Sequence, residues 1–168
     1  MISLKKREQG FTIVELLIVI VVIGILALLV ITTYAGIQSK ARDSKRQTDL
    51  KSLQTQIEAF FSQNGYYPSN ADLNLPSWRT SNMKSLDAQA LVDPSSTSNT
   101  CSAGTQTSCL ADNNATSFIK QYRYFPQDVN NSSANCEATD TTCSQYVLTA
   151  GFENSVGGKT FETLNNLD

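Results

Sequence analysis

The 168-residue sequence has no histidine, one tryptophan and only four prolines. Without histidine, the chain has neither Ser-His nor Cys-His nucleophile pairs, and it lacks the commonest metal ligand of proteins. A glycine-rich phosphate loop is also missing. We therefore expect no enzymatic activity, and we assign no catalytic, cofactor-binding or metal-binding residue.

Charged residues are absent from the long apolar run Leu16 to Ile31, which contains no polar side chain. Together with residues 11–14, this run approaches the roughly 20 residues that a membrane-spanning helix needs. Each Leu, Ile or Val favours insertion by about 0.3 to 0.6 kcal/mol, whereas one acidic residue at mid-helix costs about 2.5 to 3.5. The run therefore outweighs the single nearby acid, Glu15, and predicts a membrane segment.

A short basic leader precedes this segment and ends in a glycine. The distinctive residues are Lys5-Lys6-Arg7, Gly10, Phe11-Thr12, Glu15, Gly24 and Tyr34. This arrangement resembles the class III signal of type IV prepilins and type II secretion pseudopilins, over about residues 5 to 68. The resemblance implies that a prepilin peptidase cuts between Gly10 and Phe11 and methylates the new amino terminus of Phe11. Thr32 stands where many members of that family have a helix-kinking proline, so a bend at this point is not implied.

Glu15 is the one acid inside the apolar segment, and such a residue usually has a partner or a function. If the cut follows Gly10, an ammonium appears at Phe11, one helical turn away. An unpaired carboxylate in an apolar bundle is costly, and the amino terminus of a neighbouring subunit would neutralise it. We therefore predict an assembly salt bridge at Glu15. The alternative is that Glu15 lies near the end of the span and reaches the lipid headgroups.

An ordinary signal peptide is the competing interpretation of the N-terminus. Thr33-Tyr34-Ala35 before Gly36 forms a weak conventional cleavage site, although the apolar region is longer than the usual 7 to 15 residues. Cleavage there would yield a membrane-tethered or secreted binding domain.

Basic residues also cluster after the apolar segment, at Lys40, Arg42, Lys45, Arg46 and Lys51. They could form a solvated helix face, attract anionic headgroups, or meet acidic surfaces of neighbouring subunits. Under the positive-inside rule they compete with the leader, so charge alone does not set the orientation. We expect no direct contact with nucleic acid.

The chain divides into a leader at 1–10, a transmembrane and assembly helix at 11–35, an amphipathic helix at 36–64, and an exported head at 65–168. The amphipathic stripe is predicted from 3-and-4 spacing and comprises Ile37, Ala41, Leu50, Leu53, Ile57, Phe60 and Phe61. Asn64-Gly65 is its expected stop. Strands are predicted at 122–125, 145–150 and 159–164, with a turn at Gly157-Gly158 leading into the last of them. The expected fold is α+β, a long N-terminal helix packed on a small antiparallel sheet of about three strands.

Between the helix and the strands we expect short helical turns, one capped by Ser77 and another over residues 87–91. Trp78 is expected to pack at the core or its edge. Fourteen of the 23 residues from Ser95 to Ser117 are Ser, Thr or Asn, which predicts an exposed loop.

The four cysteines suit disulfides in an oxidising compartment. Their positions in two polar loops favour Cys101 with Cys109 and Cys136 with Cys143, although three connectivities remain open. Zinc is disfavoured because no Cys-x-x-Cys spacing occurs. Asp112-Asn113-Asn114 and Asp128-Val129-Asn130 offer oxygen ligands without EF-hand spacing, and calcium, known in some of the pseudopilins that the chain resembles, is the one alternative cofactor.

These features predict a structural subunit of a type IV pilus-like filament that assembles with itself. The resemblance implies a single-pass precursor in the cytoplasmic membrane, served by the peptidase and by inner-membrane assembly machinery, and then a filament at the cell surface. Such a filament would support attachment, surface motility or DNA uptake. A pseudopilin of a type II secretion system is the near alternative.

Overall fold

A computed structural model of the protein describes residues 10–96, 109–111, 121–128, 131–136 and 141–167, without the side chains of residues 32, 35 and 131–135. The chain divides into two compact units, Met1–Gln38 and Ser39–Asp168. Helix α1 spans Ile13–Asn64. Gly65 ends it with a positive φ of 78°, and its N–H bonds to the Phe61 carbonyl at 2.7 Å. Glycine is favoured in this left-handed position, and the predicted stop at Asn64-Gly65 is confirmed.

The first unit contains the apolar part of α1. Every large apolar side chain from Leu16 to Ile31 is 48% to 68% exposed. By length and composition, α1 is the one helix in the described part of the chain that could cross a membrane. An apolar helix without covering residues requires lipid or other helices around it, which agrees with the predicted membrane segment.

In the second unit, α1 buries a narrower stripe than the sequence predicted. Leu50, Leu53 and Ile57 are fully buried and Phe60 nearly so, while Ala41 is exposed. The buried stripe continues toward the start of the unit at the same spacing, but its members there are charged. Asp43, Arg46 and Asp49 are all buried. Hydrophobic periodicity cannot find such positions, because the buried side chains are polar.

Five strands form one mixed sheet, in the order β1-β2-β4-β5 with β3 paired to β2. The strands are β1 Leu110–Ala111, β2 Tyr122–Asp128, β3 Asn131–Asn135, β4 Cys143–Val156 and β5 Lys159–Asn165. The three longest strands are those predicted from the sequence, and they pair antiparallel. The α+β fold is therefore confirmed, with two additional short strands, of which β1 runs parallel to β2.

The register of the sheet places its core residues side by side. Tyr124 pairs with Leu148, and Leu148 pairs with Leu164. The β4–β5 hairpin turns at Gly157-Gly158, where φ is 59° and 81°. A tight hairpin needs positive φ at both central residues, so the predicted glycine turn is confirmed.

Strand β1 lies at an edge of the sheet, and Asn74 closes that edge. The Asn74 side-chain amide donates to the Leu110 carbonyl at 3.1 Å, and its oxygen accepts the Leu110 N–H at 3.0 Å. Cys109, Leu110 and Ala111 are buried. The prediction of an exposed loop over Ser95–Ser117 is therefore wrong at these three residues. These three residues belong to the polar segment, but they pack into the sheet, and two of them form β1.

Three short helical elements precede the sheet. Helix α2 spans Asn70–Asn74, α3 spans Pro76–Asn82, and a 3₁₀ helix spans Ala88–Leu91. The helical turn predicted over residues 87–91 is this 3₁₀ helix, and Asp87 lies before it as its cap, accepting the Gln89 N–H. Ser77 does not cap α3, because Pro76 already occupies its first turn and the cap position falls on Leu75. Proline suits this first-turn position since it has no N–H to satisfy.

Aromatic rings fill the core between α1, the loop after it and the sheet. The Phe60 and Trp78 rings lie 5.1 Å apart, and Trp78 is partly buried against the core, as predicted for this tryptophan. The Tyr67 and Tyr146 hydroxyls both donate to the carboxylate of Glu58 on α1. The Leu167 N–H donates to the same carboxylate at 2.9 Å, so this one acid ties the end of the chain to α1.

Candidate functional site

The predicted cleavage site lies just before α1. Gly10 and Phe11 precede the first helical residue, Ile13, and Phe11 is 84% exposed. A Cβ placed on Gly10 would meet nothing within 4 Å. A protease binds its substrate as extended chain, so a scissile bond outside the helix needs no unwinding. The geometry is compatible with the predicted cut, which stays a prediction.

Thr12 and Glu15 form a reciprocal cap at the start of α1. One carboxylate oxygen, Glu15 Oε2, accepts the Thr12 N–H at 2.9 Å and the Thr12 hydroxyl at 2.7 Å. The Glu15 N–H donates in return to the Thr12 hydroxyl oxygen at 3.2 Å. This is the capping box expected of a Thr-x-x-Glu sequence. We did not predict this role for Thr12, although the Thr-x-x-Glu spacing is sufficient to indicate it.

Glu15 keeps acceptor capacity after capping its own helix. Its other oxygen, Oε1, makes no hydrogen bond to the described part of the chain, and the side chain is exposed. A carboxylate offers about four acceptor positions, so a cation can bind without displacing Thr12. Negative charge is also favoured at a helix N-terminus by the helix dipole. The site can therefore cap its helix and bind an ammonium at the same time.

Thr33 and Tyr34 are polar residues at the end of the apolar run whose side chains the structure describes. The Thr33 hydroxyl donates to the Leu29 carbonyl at 2.9 Å. Tyr34 follows the apolar run and is 59% exposed. Tyrosine is enriched at the boundary between lipid and water. From Leu16 to Tyr34 this surface suits a lipid bilayer or the apolar helices of other copies.

The predicted basic cluster divides between exposed lysines and arginines that bind acids of their own unit. Lys40, Lys45 and Lys51 are exposed, as expected of a solvated helix face. Arg46 is fully buried and pairs with Asp43 at 2.6 Å, Asp93 at 2.7 Å and Glu153 at 2.9 Å, and the half-buried Arg42 donates from Nε to Glu153 at 2.7 Å. We call Arg42, Asp43, Arg46, Asp93 and Glu153 the Arg46 cluster. Arg46 therefore serves the fold of the second unit and is not part of a surface.

Hydrogen bonds determine the charge state of this cluster. The bonds from Arg42 and then Arg46 lower the pKa of Glu153 to about 2. Burial alone would raise the pKa of Asp43 and Asp93, but backbone N–H donors on Asp43 and the Arg46 guanidinium on Asp93 outweigh it, and both pKa values are lowered. Burial likewise opposes the charge of Arg46, yet its carboxylate partners raise its pKa. All members stay ionised at neutral pH.

Of the predicted disulfides, Cys136–Cys143 is present, with 6.0 Å between its Cα atoms. Cys109 is also disulfide-bonded. Cys101 lies outside the described residues, so its pairing stays a prediction, and so does calcium binding at 112–114 and 128–130. Within the described ranges, no group of three or more potential metal ligands occurs.

Comparison with known proteins adds an independent observation at the N-terminus. Residues 5–31 match the family described as the prokaryotic N-terminal methylation motif. The chain is 39% identical over 66 residues to the type IV major pilin protein PilA of Myxococcus xanthus, which covers 39% of this chain and 30% of PilA. It is 35% identical over 66 residues to the type II secretion system core protein G of Dickeya chrysanthemi, covering 39% of this chain and 43% of that protein.

A third relative, the type II secretion system core protein G of Aeromonas hydrophila, is 37% identical over 65 residues, or 39% of this chain and 46% of its own length. The chain thus spans less than half the length of these curated relatives. No solved structure matches the chain significantly. The predicted resemblance is confirmed for the N-terminal region.

Proposed function

We propose that the chain is the precursor of a structural subunit of a type IV pilus-like filament, assembled through its apolar N-terminal helix. The observation that carries this proposal is the position of the methylation motif. It covers residues 5–31, so it includes the Gly10-Phe11 junction, the Glu15 cap and the exposed apolar surface of α1. A soluble globular domain would not leave so large an apolar surface uncovered.

Maturation removes residues 1–10. A prepilin peptidase cuts between Gly10 and Phe11 and methylates the Phe11 amine. Before assembly the subunit is a single-pass protein of the cytoplasmic membrane, with its apolar helix in lipid. Inner-membrane machinery then transfers it into a filament at the cell surface, where the apolar helices of neighbouring subunits replace the lipid. Contacts between identical copies that do not close into a ring generate an open helical polymer.

Glu15 selects the axial position of each incoming subunit. Its Oε2 is used by Thr12 of the same chain, and Oε1 accepts the Phe11 ammonium of a neighbouring copy. In an apolar bundle, a buried charge without a partner costs several kcal/mol. Only the stagger that pairs the two groups avoids this cost, so the pair favours one register over the others.

Substitutions at the cap separate its two roles. Glu15→Gln keeps a side chain that can accept from Thr12, as Gln does in a capping box, but it cannot neutralise an ammonium. Glu15→Val removes both functions, and Thr12→Ala weakens the cap while leaving the charge. We expect all three proteins in the membrane fraction, with filaments formed by Thr12→Ala but not by Glu15→Gln or Glu15→Val, as measured by shearing and electron microscopy. Normal filaments from Glu15→Gln would refute the pairing role.

The first residue of the native protein tests the proposal against secretion by an ordinary signal. Mass spectrometry of material from cells should give a chain starting at methylated Phe11. A start at Gly36 would instead identify a secreted or tethered binding domain and would overturn the filament proposal. A full-length chain beginning at Met1 would overturn it as well.

A pseudopilin of a type II secretion system is the second candidate, favoured by the similarity to core protein G of several bacteria. Both kinds of subunit would be cut and methylated in the same way, but they act in different processes. A pilus subunit is abundant in sheared surface filaments, and its deletion abolishes attachment, surface motility or DNA uptake. Deletion of a pseudopilin instead leaves secreted enzymes inside the cell envelope. In either case the chain acts as a scaffold subunit, without catalysis of its own.

A further inference from the structure

Arg79 is a buried cation that forms no ion pair with any acid among the described residues. Its side chain lies on α3, and the residue is only 7% exposed. The Nη1 atom donates to the Leu73 carbonyl at 2.5 Å. The ion pairs formed among the described residues do not include Arg79. Burial lowers the pKa of Arg79, with no compensating contribution from a carboxylate.

A purely structural role accounts for only part of this arrangement. The bond to Leu73 satisfies one carbonyl in the last turn of α2, a common task for arginine near a helix end. A guanidinium has five N–H donors, however, and this bond uses one of them. None of the other Arg79 N–H groups is among the buried polar atoms without a partner that the structure describes, so they remain open to solvent or to a ligand. A neutral polar side chain such as glutamine could make the same single bond to Leu73.

The Arg46 cluster provides an internal comparison. Arg46 is more deeply buried than Arg79, and it contacts three carboxylates of its own chain. Arg79 differs in what lies beside it, which is a pocket of about 470 Å³ open to solvent. This volume is within the range of pockets that hold small molecules. The lining residues are Pro76, Arg79, Thr80, Met83, Lys84, Leu86 and Ala88.

The chemistry of the lining defines the class of ligand. Pro76, Met83 and Leu86 give the pocket an apolar wall, while Arg79 supplies a charged group at that wall and Lys84 adds a second cation. None of the described residues that line the pocket is acidic. Arginine pairs with a carboxylate through two parallel hydrogen bonds, and an apolar wall favours a ligand with a hydrocarbon body.

We propose that this pocket binds a small organic carboxylate, with its charge on Arg79 and its hydrocarbon body against Met83 and Leu86. The bound carboxylate supplies a counter-ion that the described part of the chain does not provide. The site lies within residues 76–88, away from the maturation site at Gly10-Phe11, and does not depend on filament assembly. Failure of the filament proposal would leave it intact.

Methionine NMR gives a direct test, because the sequence has only two methionines, Met1 in the leader and Met83 in the pocket wall. The full chain is labelled at the methionine methyl carbons, purified in detergent and titrated with butyrate. Butyramide, which has the same size without the charge, is the matched ligand, and sodium chloride keeps the ionic strength constant. We expect the Met83 methyl resonance to shift and saturate with butyrate at a concentration about tenfold lower than with butyramide, a difference of about 1.4 kcal/mol. The Met1 resonance stays unchanged.

Variants test whether Arg79 is the residue that binds the carboxylate of the ligand. Arg79→Leu, which adds no methionine, should abolish the preference for butyrate over butyramide, and Arg79→Lys should keep part of it, because a positive charge remains but the planar guanidinium does not. Lys159→Gln, an exposed charge change on β5, is the matched control and should bind like the unmodified chain. Equal responses to the two ligands in the unmodified chain would overturn the proposal, whether or not the variants fold. A preference that survives Arg79→Leu in a cooperatively folded variant would also overturn it.

Discussion

Replacing Arg46 by methionine should destabilise the second unit more than any change at an exposed cation. The substitution keeps most of the side-chain volume but leaves Asp43 and Asp93, each with a side chain only 1% exposed, without their shared counter-ion. Removing one partner of a buried ion pair typically costs about 3 to 5 kcal/mol. A domain of this size has about 5 to 15 kcal/mol of stability in total. The variant should therefore lose about a fifth or more of this stability.

The single tryptophan makes the measurement specific to this unit. Trp78 packs on Phe60 in the core, so its fluorescence follows unfolding of the head while the apolar segment stays in detergent. With a urea dependence of about 2 kcal/mol per molar, a loss of about 4 kcal/mol lowers the midpoint by about 2 M. The matched control is Arg42→Met, whose side chain is 32% exposed and whose partner Glu153 is 24% exposed. Exposed pairs contribute about 0 to 1 kcal/mol.

A second substitution distinguishes lost attraction from stranded charge. In Arg46→Met combined with Asp93→Leu, the most isolated carboxylate is removed together with the arginine. An apolar replacement of a buried ion pair is often nearly neutral, so the double variant should recover part of the loss. The reasoning is wrong if Arg46→Met lowers the free energy of unfolding no more than Arg42→Met does. It is also wrong if the double variant loses as much stability as Arg46→Met and Asp93→Leu lose when their separate losses are added.

Three further predictions use the same urea titration. Because the pKa values of Asp93 and Glu153 are lowered by folding, stability should be constant above the unfolded carboxylate pKa of about 4 and fall as the pH drops toward 2; an unchanged midpoint at pH 3 would contradict this. Replacing both Cys136 and Cys143 by serine opens a loop with a sequence separation of 7 and should lower the free energy of unfolding by about 2.5 kcal/mol. A loss near zero would mean that this loop is already constrained in the unfolded chain without the disulfide. Asn74→Ala leaves two buried backbone groups of β1 without partners and should cost about 1 to 3 kcal/mol, while Asn74→Asp should recover only the bond to the N–H.

Local patterns predicted the parts of the molecule whose cause is local. The apolar run, the stop at Asn64-Gly65 and the glycine turn of the last hairpin each follow from neighbouring residues. The same holds for the maturation motif, whose members lie within residues 5–31. Thr12 was missed even though its signal is equally short, because Glu15 was considered only as a charge and not as a capping residue.

Features built from distant residues could not be read in this way. Arg46 is buried because Asp93 and Glu153 reach it from 47 and 107 positions away, and the helix pattern shows only a basic residue among other basic residues. Strand β1 has two residues and pairs with β2 across a polar segment, so it has no periodicity to detect. Only the contacts of the folded chain reveal that these polar residues are interior.

The position of the Arg46 cluster near the start of the second unit also limits where the protein can be cut for laboratory work. A soluble fragment is often designed by removing the N-terminal part of a helix up to the first apolar residue that packs in the core. In this chain that residue is Leu50, so the fragment would start shortly before it. That fragment would carry Asp93 and Glu153 but neither arginine that binds them. Expression designs and head exchanges between homologous subunits should therefore keep everything from Ser39 onward, and should transfer the two arginines together with their three acids.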